Sequence, residues 1–384
     1  MRRIFTLIAI ASVAMLSCTS KKQQSSEGLS STVTPAQSLF SRLDALKDKG
    51  YMYGHQDDPF YGITWEWEKD RSDTKELVGD YPGVMGFEIG GIEMGDLKNL
   101  DSVPFVWMQE EIIAHHKRGG IITISWHPRN PLLGTTAWIG EDTIAYNKAV
   151  AELQAKGQST DGLVNPKNTV KEMLEGGSIH DKAITWLDRI ATFMSALKTE
   201  DGQMVPVIFR PWHENTGNWF WWGDPNCTAE EYKALWNMTQ DYLEAKLPGQ
   251  LLWSYSPSPR SMEHFLERWP GDERIQLLGT DAYQYGSDED FQAQLNFTLG
   301  FMQEYAKDRN MLIAVTECGK TNSTIPDWWT RVFDSVVKNY PICYCLPWRN
   351  YSKEHFGASK DAPVAEDFKV FYAQPHTLFL NDIK

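Results

Sequence analysis

The sequence predicts an α/β fold, a (β/α)8 TIM barrel forming a single domain over residues 34–384. Three observations carry this expectation. Short apolar, β-branched runs recur eight times along the chain, and most are separated by a helical pattern. The runs are apolar at consecutive positions, which suits parallel strands covered on both faces and not a sheet with one wet face. The first run is not followed by the glycine-rich phosphate turn of a doubly wound open sheet, the runner-up architecture. A chain of 384 residues accommodates one such barrel with insertions.

The first element is a helix. Thr34 can cap it, Pro35 suits its first position, Leu39, Leu43 and Leu46 mark one face, and Gly50 stops it. The eight strands are expected at 51–56, 84–89, 121–126, 207–212, 251–255, 275–280, 311–316 and 342–348. Residues 102–119 read as a helix capped by Ser102, with Phe105, Met108, Ile112 and Ile113 as its apolar positions and Gly119 as its stop. Residues 180–198 place Ile184, Leu187, Ile190, Ala191, Met194 and Leu197 at helical spacing. Thr228 and Glu231 form a capping box ahead of Tyr232, Leu235, Thr239 and Tyr242. Residues 288–308 and 326–339 repeat the scheme. One spacing is anomalous: from Trp126 to Val205 the chain is far longer than one crossover helix requires, and the excess carries Trp138 and Tyr146. Long irregular segments in compact domains tend to be lids or binding loops.

Ahead of the domain, Arg2 and Arg3 precede a mostly apolar stretch from Ile4 to Leu16. Residues 1–17 read as a signal peptide, too short and too soon followed by polar residues to span a membrane. Ser17 directly before Cys18 resembles a bacterial lipoprotein cleavage site, which makes Cys18 the expected lipidated residue. Residues 18–33, rich in Ser, Lys and Gln, read as a flexible tether. The expected location is exported and lipid-anchored, on the periplasmic or cell-surface face.

Hydrophobic residues make up 42% of the chain and charged residues 23%, so a sizeable core can form. A net charge of −14 argues against nucleic acid and against an anionic membrane surface, leaving the lipid anchor as the membrane contact. Cys227, Cys318, Cys343 and Cys345 follow the anchor cysteine. In an exported protein these thiols allow three pairings, among which sequence does not choose. Cys343-Tyr344-Cys345 sits inside an apolar run, so core thiols are the better reading than zinc ligands.

In a barrel of this kind the site lies at the carboxyl ends of the strands, so the residues that follow each apolar run matter most. The fourth run leads into Arg210-Pro211-Trp212-His213-Glu214-Asn215, and four tryptophans occur between 212 and 222. The others lead into His55 and Gln56, Glu88, Trp126 and His127, Trp253 to Tyr255, Asp281 to Tyr283, Thr316 to Gly319, and Trp348 to Asn350. Carboxylates and Arg bond hydroxyls while indoles cover C–H faces, so this mixture suits a neutral sugar. Glu214 and Glu317 stand out as a pair. Strands four and seven lie across the barrel from each other, and cleaving a glycosidic bond needs one carboxyl to protonate the leaving oxygen and another to attack or direct water. A carboxylate as close to the core as Glu317 is costly unless bonded or used.

Two other chemistries fit poorly. His213-Glu214-Asn215-Thr216-Gly217 lacks the second histidine of a zincin helix, and His115-His116 falls on the second helix, away from the mouth. No G-x-S-x-G elbow is present. No metal and no cofactor are expected.

These motifs resemble those of the β-mannanases of glycoside hydrolase family 26, over roughly residues 35–380. The specific ones are Arg210-Pro211-Trp212-His213-Glu214 and Thr316-Glu317-Cys318-Gly319, supported by Tyr53-Gly54-His55-Gln56, Ser125-Trp126-His127-Pro128, Asp281-Ala282-Tyr283 and Trp348-Arg349. The resemblance implies a retaining (β/α)8 glycosidase with Glu214 as acid/base and Glu317 as nucleophile. It further implies that Tyr283 bonds the nucleophile, His213 stands where most of the clan has asparagine, and Trp219 forms the sugar platform at the cut. His127, Trp348 and Arg349 would line the glycone side, with Trp126 and Arg210 also expected among the substrate-binding residues. The implied substrate is β-1,4-mannan, glucomannan or galactomannan, cut internally or as mannobiose from chain ends. Mixed-linkage β-glucan and β-1,3-xylan are the family's alternatives, and a non-catalytic glycan-binding surface lipoprotein is the competing class.

Overall fold

The computed structural model describes residues 33–258 and 262–384. The eight runs become β1 (Tyr51–Gln56), β2 (Val84–Glu88), β3 (Ile121–Ser125), β4 (Val207–Arg210), β5 (Leu251–Tyr255), β6 (Leu277–Tyr283), β7 (Leu312–Gly319) and β8 (Ile342–Pro347). Each pairs in parallel with its neighbour in chain order, and β1 pairs with both β8 and β2, so the sheet closes. A short β9 (Thr377–Leu378) adds parallel to the start of β1. Thr34–Lys384 form one compact unit.

Alternation along each strand builds two buried layers. Met52, Val84, Ile121, Ile208, Leu252, Leu277 and Leu312 pack together inside the barrel, joined by Leu39, Leu43 and Leu46 of the first helix. Residues of the opposite parity, such as Ile122, Ile124, Phe209, Leu278 and Ile313, pack outward with helical Met108, Ile112, Leu187, Ile190, Leu235 and Leu299. Burying both sets is why the strands read as continuous apolar runs. Each fully buried Leu or Ile contributes about 1.5–3 kcal/mol.

Two helices form where their expected caps lie. Thr34 and Gln37 make a reciprocal capping box on Pro35–Leu46, and Thr228 and Glu231 make another on Ala229–Lys246. Helices Phe105–Lys117, His180–Ser195 and Asp288–Lys307 cover the remaining expected stretches. Ser102 does not cap its helix, contrary to expectation. It sits at φ 70°, and the Asn99 side chain instead accepts from the amides of Asp101 and Val103. Residues 326–339 also differ: Trp328–Asp334 is π-helical and runs into Ser335–Val337. There the Asp367 carboxylate accepts from the amides of Trp329 and Thr330 while both indoles stay buried.

β4 ends at Arg210, two residues early, because Pro211 has no N–H to donate and Trp212 turns to φ 52°. β6 and β7 run on to Tyr283 and Gly319 past a register shift that sets Asp281 opposite Glu317. Cys227, Cys318, Cys343 and Cys345 are buried and form no disulfide. Within the long segment between β3 and β4, the helix Gly140–Ala155 buries no residue. Among the described residues no helix is long and apolar enough to cross a membrane. The expected signal peptide, Cys18 and nearly all of the tether lie outside the described residues.

Candidate active site

The site grows from the turn after β4. Trp212 and Glu214 both take φ 52°, an uncommon left-handed conformation for side chains of this size. Three bonds hold the turn. The Glu214 amide donates to Ser256 O (2.8 Å), Tyr232 donates its hydroxyl to Trp212 O (2.9 Å), and Trp222 donates its indole N–H to His213 O (2.8 Å). Trp212, Trp221 and Trp222 are buried and lock the turn from behind. Local strain held by such packing is a feature of functional sites.

Glu214 and Glu317 open into one cleft of about 690 Å³, lined also by His127, Trp138, Trp219, Tyr283, Trp348 and Arg349. That volume is typical of a small-molecule or oligosaccharide site. The two carboxyls sit in opposite surroundings. Glu317 accepts from Tyr283 Oη at 2.7 Å and from a guanidinium nitrogen of Arg210. Those donors stabilise its charged form. Burial and the negative charges of Asp281 and Glu317 push the Glu214 carboxyl well above the usual carboxylate range, opposed by the Trp219 indole N–H that donates to it at 2.6 Å. One carboxyl thus accepts from two fixed donors while its neighbour has a raised proton affinity, the division that acid–nucleophile chemistry requires. Gly217 makes room for this arrangement, since a Cβ there would fall 2.1 Å from the Trp219 ring.

Arg210 is fully buried and bridges Glu317 to Asp281, to which it donates at 2.9 and 3.2 Å; it also donates to Ser256 Oγ at 2.9 Å. Burial pushes the Asp281 carboxyl up, Arg210 pulls it down, and Thr316 donates to it at 2.7 Å. His213, Asp281 and Glu317 place ligand-type atoms within 4.8 Å of one another. The Arg210 guanidinium already lies between the two carboxylates, so a metal ion there would face a fixed positive charge.

A second chain of buried groups starts on β2. Glu88 accepts from Ser125 Oγ (2.7 Å) and the His127 amide (2.7 Å), and bonds His127 Nδ1 at 2.7 Å. Burial works against a charged His127, yet Glu88 raises its pKa above the ordinary value. His127 Nε2 meets His213 Nε2 at 2.9 Å, and burial together with Arg210 and His127 drives His213 well below its ordinary value. His213 is therefore the neutral partner, 3.8 Å from Glu317. His127 also stacks on Trp138 with centroids 5.7 Å apart and packs edge-on to Trp348. Arg349 pairs with Asp101 at 2.8 Å beside them.

Two sequence expectations need correction. Trp126 is completely buried, outside the cleft. It shares parity with Ile122 and Ile124, so its indole points to the helix layer, packs on Trp212 at 4.7 Å and donates to Glu93 at 3.1 Å. Arg210 has the inward parity but lies beneath the cleft floor, where it positions Glu317 instead of meeting a substrate.

A family model, Glycosyl hydrolase family 26, matches residues 30–379. The chain belongs to this family. A β-mannanase of the family from Bacteroides ovatus has a similar structure, at 40% identity and TM-score 0.82, over 91% of this chain and 96% of that one. A modular endo-β-1,4-mannanase from Cellulomonas fimi follows at 28% identity and TM-score 0.77, over 91% and 76%. By sequence, a mannan endo-1,4-β-mannosidase of Bifidobacterium adolescentis is 29% identical over 332 residues, 78% of this chain. This chain spans 30% of that relative's length and 57% of the length of a Bacillus subtilis relative.

Several cleft residues of this family 26 chain escaped the sequence reading. Asp101 lies on a loop well past β2, and its tie to Arg349 joins segments far apart in sequence. Phe220 belongs to the tryptophan-rich stretch and faces His127 at 5.2 Å. Tyr285, Glu354 and Phe356 lie beyond the strand ends where chemistry was sought. Only the length of its segment points to Trp138 in the sequence. Its backbone pairs with Phe220, and Ile139 N donates to Trp219 O at 2.8 Å, so residues 137–139 are fastened to the cleft wall.

Proposed function

We propose that the protein is a retaining β-mannanase that hydrolyses β-1,4-mannosidic bonds in mannan, glucomannan and galactomannan. One observation carries the reading: two glutamates line one cleft, Glu317 bonded by Arg210 and Tyr283, and Glu214 with its proton affinity raised by burial and neighbouring charge. Membership of the family and the activities in its relatives' names support the choice of substrate. A surface protein that only captured glycan would need the indoles but not this division between two carboxyls.

In the first step Glu317 attacks the anomeric carbon while Glu214 gives its proton to the leaving oxygen, and a covalent glycosyl enzyme forms. Glu214, now ionised, takes a proton from water, which attacks the same carbon and releases Glu317, so configuration is retained. Tyr283 and Arg210 keep Glu317 aimed throughout. Trp219 steadies the charge on Glu214 and presents its ring to the sugar at the cut. His213, held neutral, sits beside the nucleophile, while His127, Trp348 and Arg349 line the glycone side.

The N-terminal pattern Leu16-Ser17-Cys18 supports an exported protein anchored through lipid on Cys18. Palmitate labelling of the full chain and of Cys18→Ala in a bacterial host tests it, and label retained in the variant would reject Cys18. The activity is tested by incubating the purified protein with glucomannan, galactomannan, mixed-linkage β-glucan and β-1,3-xylan and separating products over time. Manno-oligosaccharides from the first two are expected. Release from β-glucan or β-1,3-xylan alone would reassign the substrate, and no release from any would leave only a binding role.

A further inference from the structure

Tyr285 stands two residues beyond Tyr283, 87% exposed, yet lines the same cleft as Glu214 and Glu317. Its ring is tilted 38° to that of Tyr283 at 6.3 Å, and Phe356 packs edge-on against Tyr283 at 5.4 Å. The hydroxyl that bonds the nucleophile and this bare ring therefore share one aromatic wall. Glu354, exposed on the same cleft, is near enough for its charge to act on the Tyr285 phenol. An open aromatic face beside a carboxylate is the arrangement that receives a neutral pyranose, ring against C–H face and carboxylate to hydroxyl.

Its place in the barrel says which sugar. Asp101 follows β2 and Arg349 follows β8; they pair with each other and line the cleft with His127 and Trp348, on the side that the proposed function assigns to the glycone. Tyr285 follows β6, which lies opposite β2 in the closed ring of eight strands. A chain laid from Asp101 across the two glutamates leaves the cleft over Tyr285. We propose that Tyr285 is the stacking platform for the sugars on the leaving-group side of the cut, binding a neutral β-1,4-linked hexose. This rests on the glycosidase reading above.

The test uses the full chain and Tyr285→Ala, Tyr285→Phe and Phe297→Ala. Phe297 is 58% exposed on helix Asp288–Lys307 and outside the cleft, so it controls for removal of a surface aromatic ring. Each is assayed on mannotetraose, with the bond cut located by mass spectrometry in ¹⁸O-water, and on mannobiosyl fluoride, which puts no sugar on the leaving side. Tyr285→Ala should raise KM on mannotetraose about three- to tenfold, the scale of one aromatic contact. Its cuts should move toward the reducing end, leaving fewer sugars on the lost platform. The loss should shrink on the fluoride, and Tyr285→Phe should retain the wild-type pattern. Equal losses on both substrates, or an unchanged cleavage pattern in Tyr285→Ala, would overturn the platform while leaving the glycosidase reading intact. A wild-type protein inert on both substrates would overturn that reading and the platform with it.

Discussion

The indole N–H of Trp219 donates to Oε2 of Glu214 at 2.6 Å, so one residue serves as a sugar-facing ring and as a brake on the acid's proton affinity. Replacing Trp219 by Phe keeps a flat ring and removes the donor. Because that bond favours the ionised carboxylate, the variant should hold its proton to higher pH. The basic limb of kcat/KM should move upward, and kcat/KM should fall about tenfold, the scale of a hydrogen bond to a charged group. A pH–rate profile on a soluble manno-oligosaccharide decides it. An unmoved or lowered basic limb would contradict the role given to the indole.

The raised pKa of Glu214 also affects stability. Its folded value lies above its unfolded value, so between the two the folded state binds more protons and stability falls as pH rises. The contribution is fully present below the unfolded carboxylate range and is lost as pH climbs through the folded value. Glu214→Gln cannot ionise and escapes that loss. Thermal melts from pH 4 to pH 8 should therefore show a gap in favour of the variant that widens with pH, reaching about 2 °C or more. A gap that is constant or narrows with pH would show that Glu214 is not held protonated by the fold.

Trp138 is fixed on the cleft wall by its stack on His127 and by the pairing of residues 137–139 with the stretch of chain carrying Trp219 and Phe220, the side proposed for the glycone. Helix Gly140–Ala155, which follows it, buries no residue. Trp138→Ala should open that end: for each reducing end released, a galactomannan solution should lose viscosity faster than with the wild type, and the products should be more mixed. Unchanged viscosity curves and products in a folded, active variant would show that this wall does not limit where the polysaccharide lies.

Much of this site was legible from parity. In β4 the inward set continues from Ile208 to Arg210, and in β3 it continues from Ile121 through Ser125 to His127, so Arg210 and His127 had to face the barrel axis. The same rule puts Trp126 outside, although it directly precedes His127 at the end of its strand. Glu317 was legible for a different reason, as a carboxylate ending an apolar run. The register shift beside Thr280 and Asp281, which sets Asp281 opposite Glu317, has no local signature because it depends on pairing between strands. Asp101 and Tyr285 were invisible for a related reason. Both sit on loops whose course is set by tertiary contacts, the ion pair with Arg349 in one case and the Tyr283 and Phe356 wall in the other. The helix cap went wrong where Asn99 outcompeted Ser102 for the free amides.

The central claim is that Glu317 forms the bond to sugar and Glu214 moves the proton. Its most direct measurement is anion rescue on 2,4-dinitrophenyl β-mannobioside, whose leaving group needs little protonation, followed by assignment of the product's anomeric configuration. Glu214→Ala should still form the glycosyl enzyme on this substrate and stall at the second step, and azide should restore turnover and yield the β-mannobiosyl azide. Glu317→Ala should lose about 10⁴-fold or more and never yield the β-azide, since no covalent intermediate can form. A β-azide from Glu317→Ala, or Glu214→Ala without rescue by azide, would contradict the assignment.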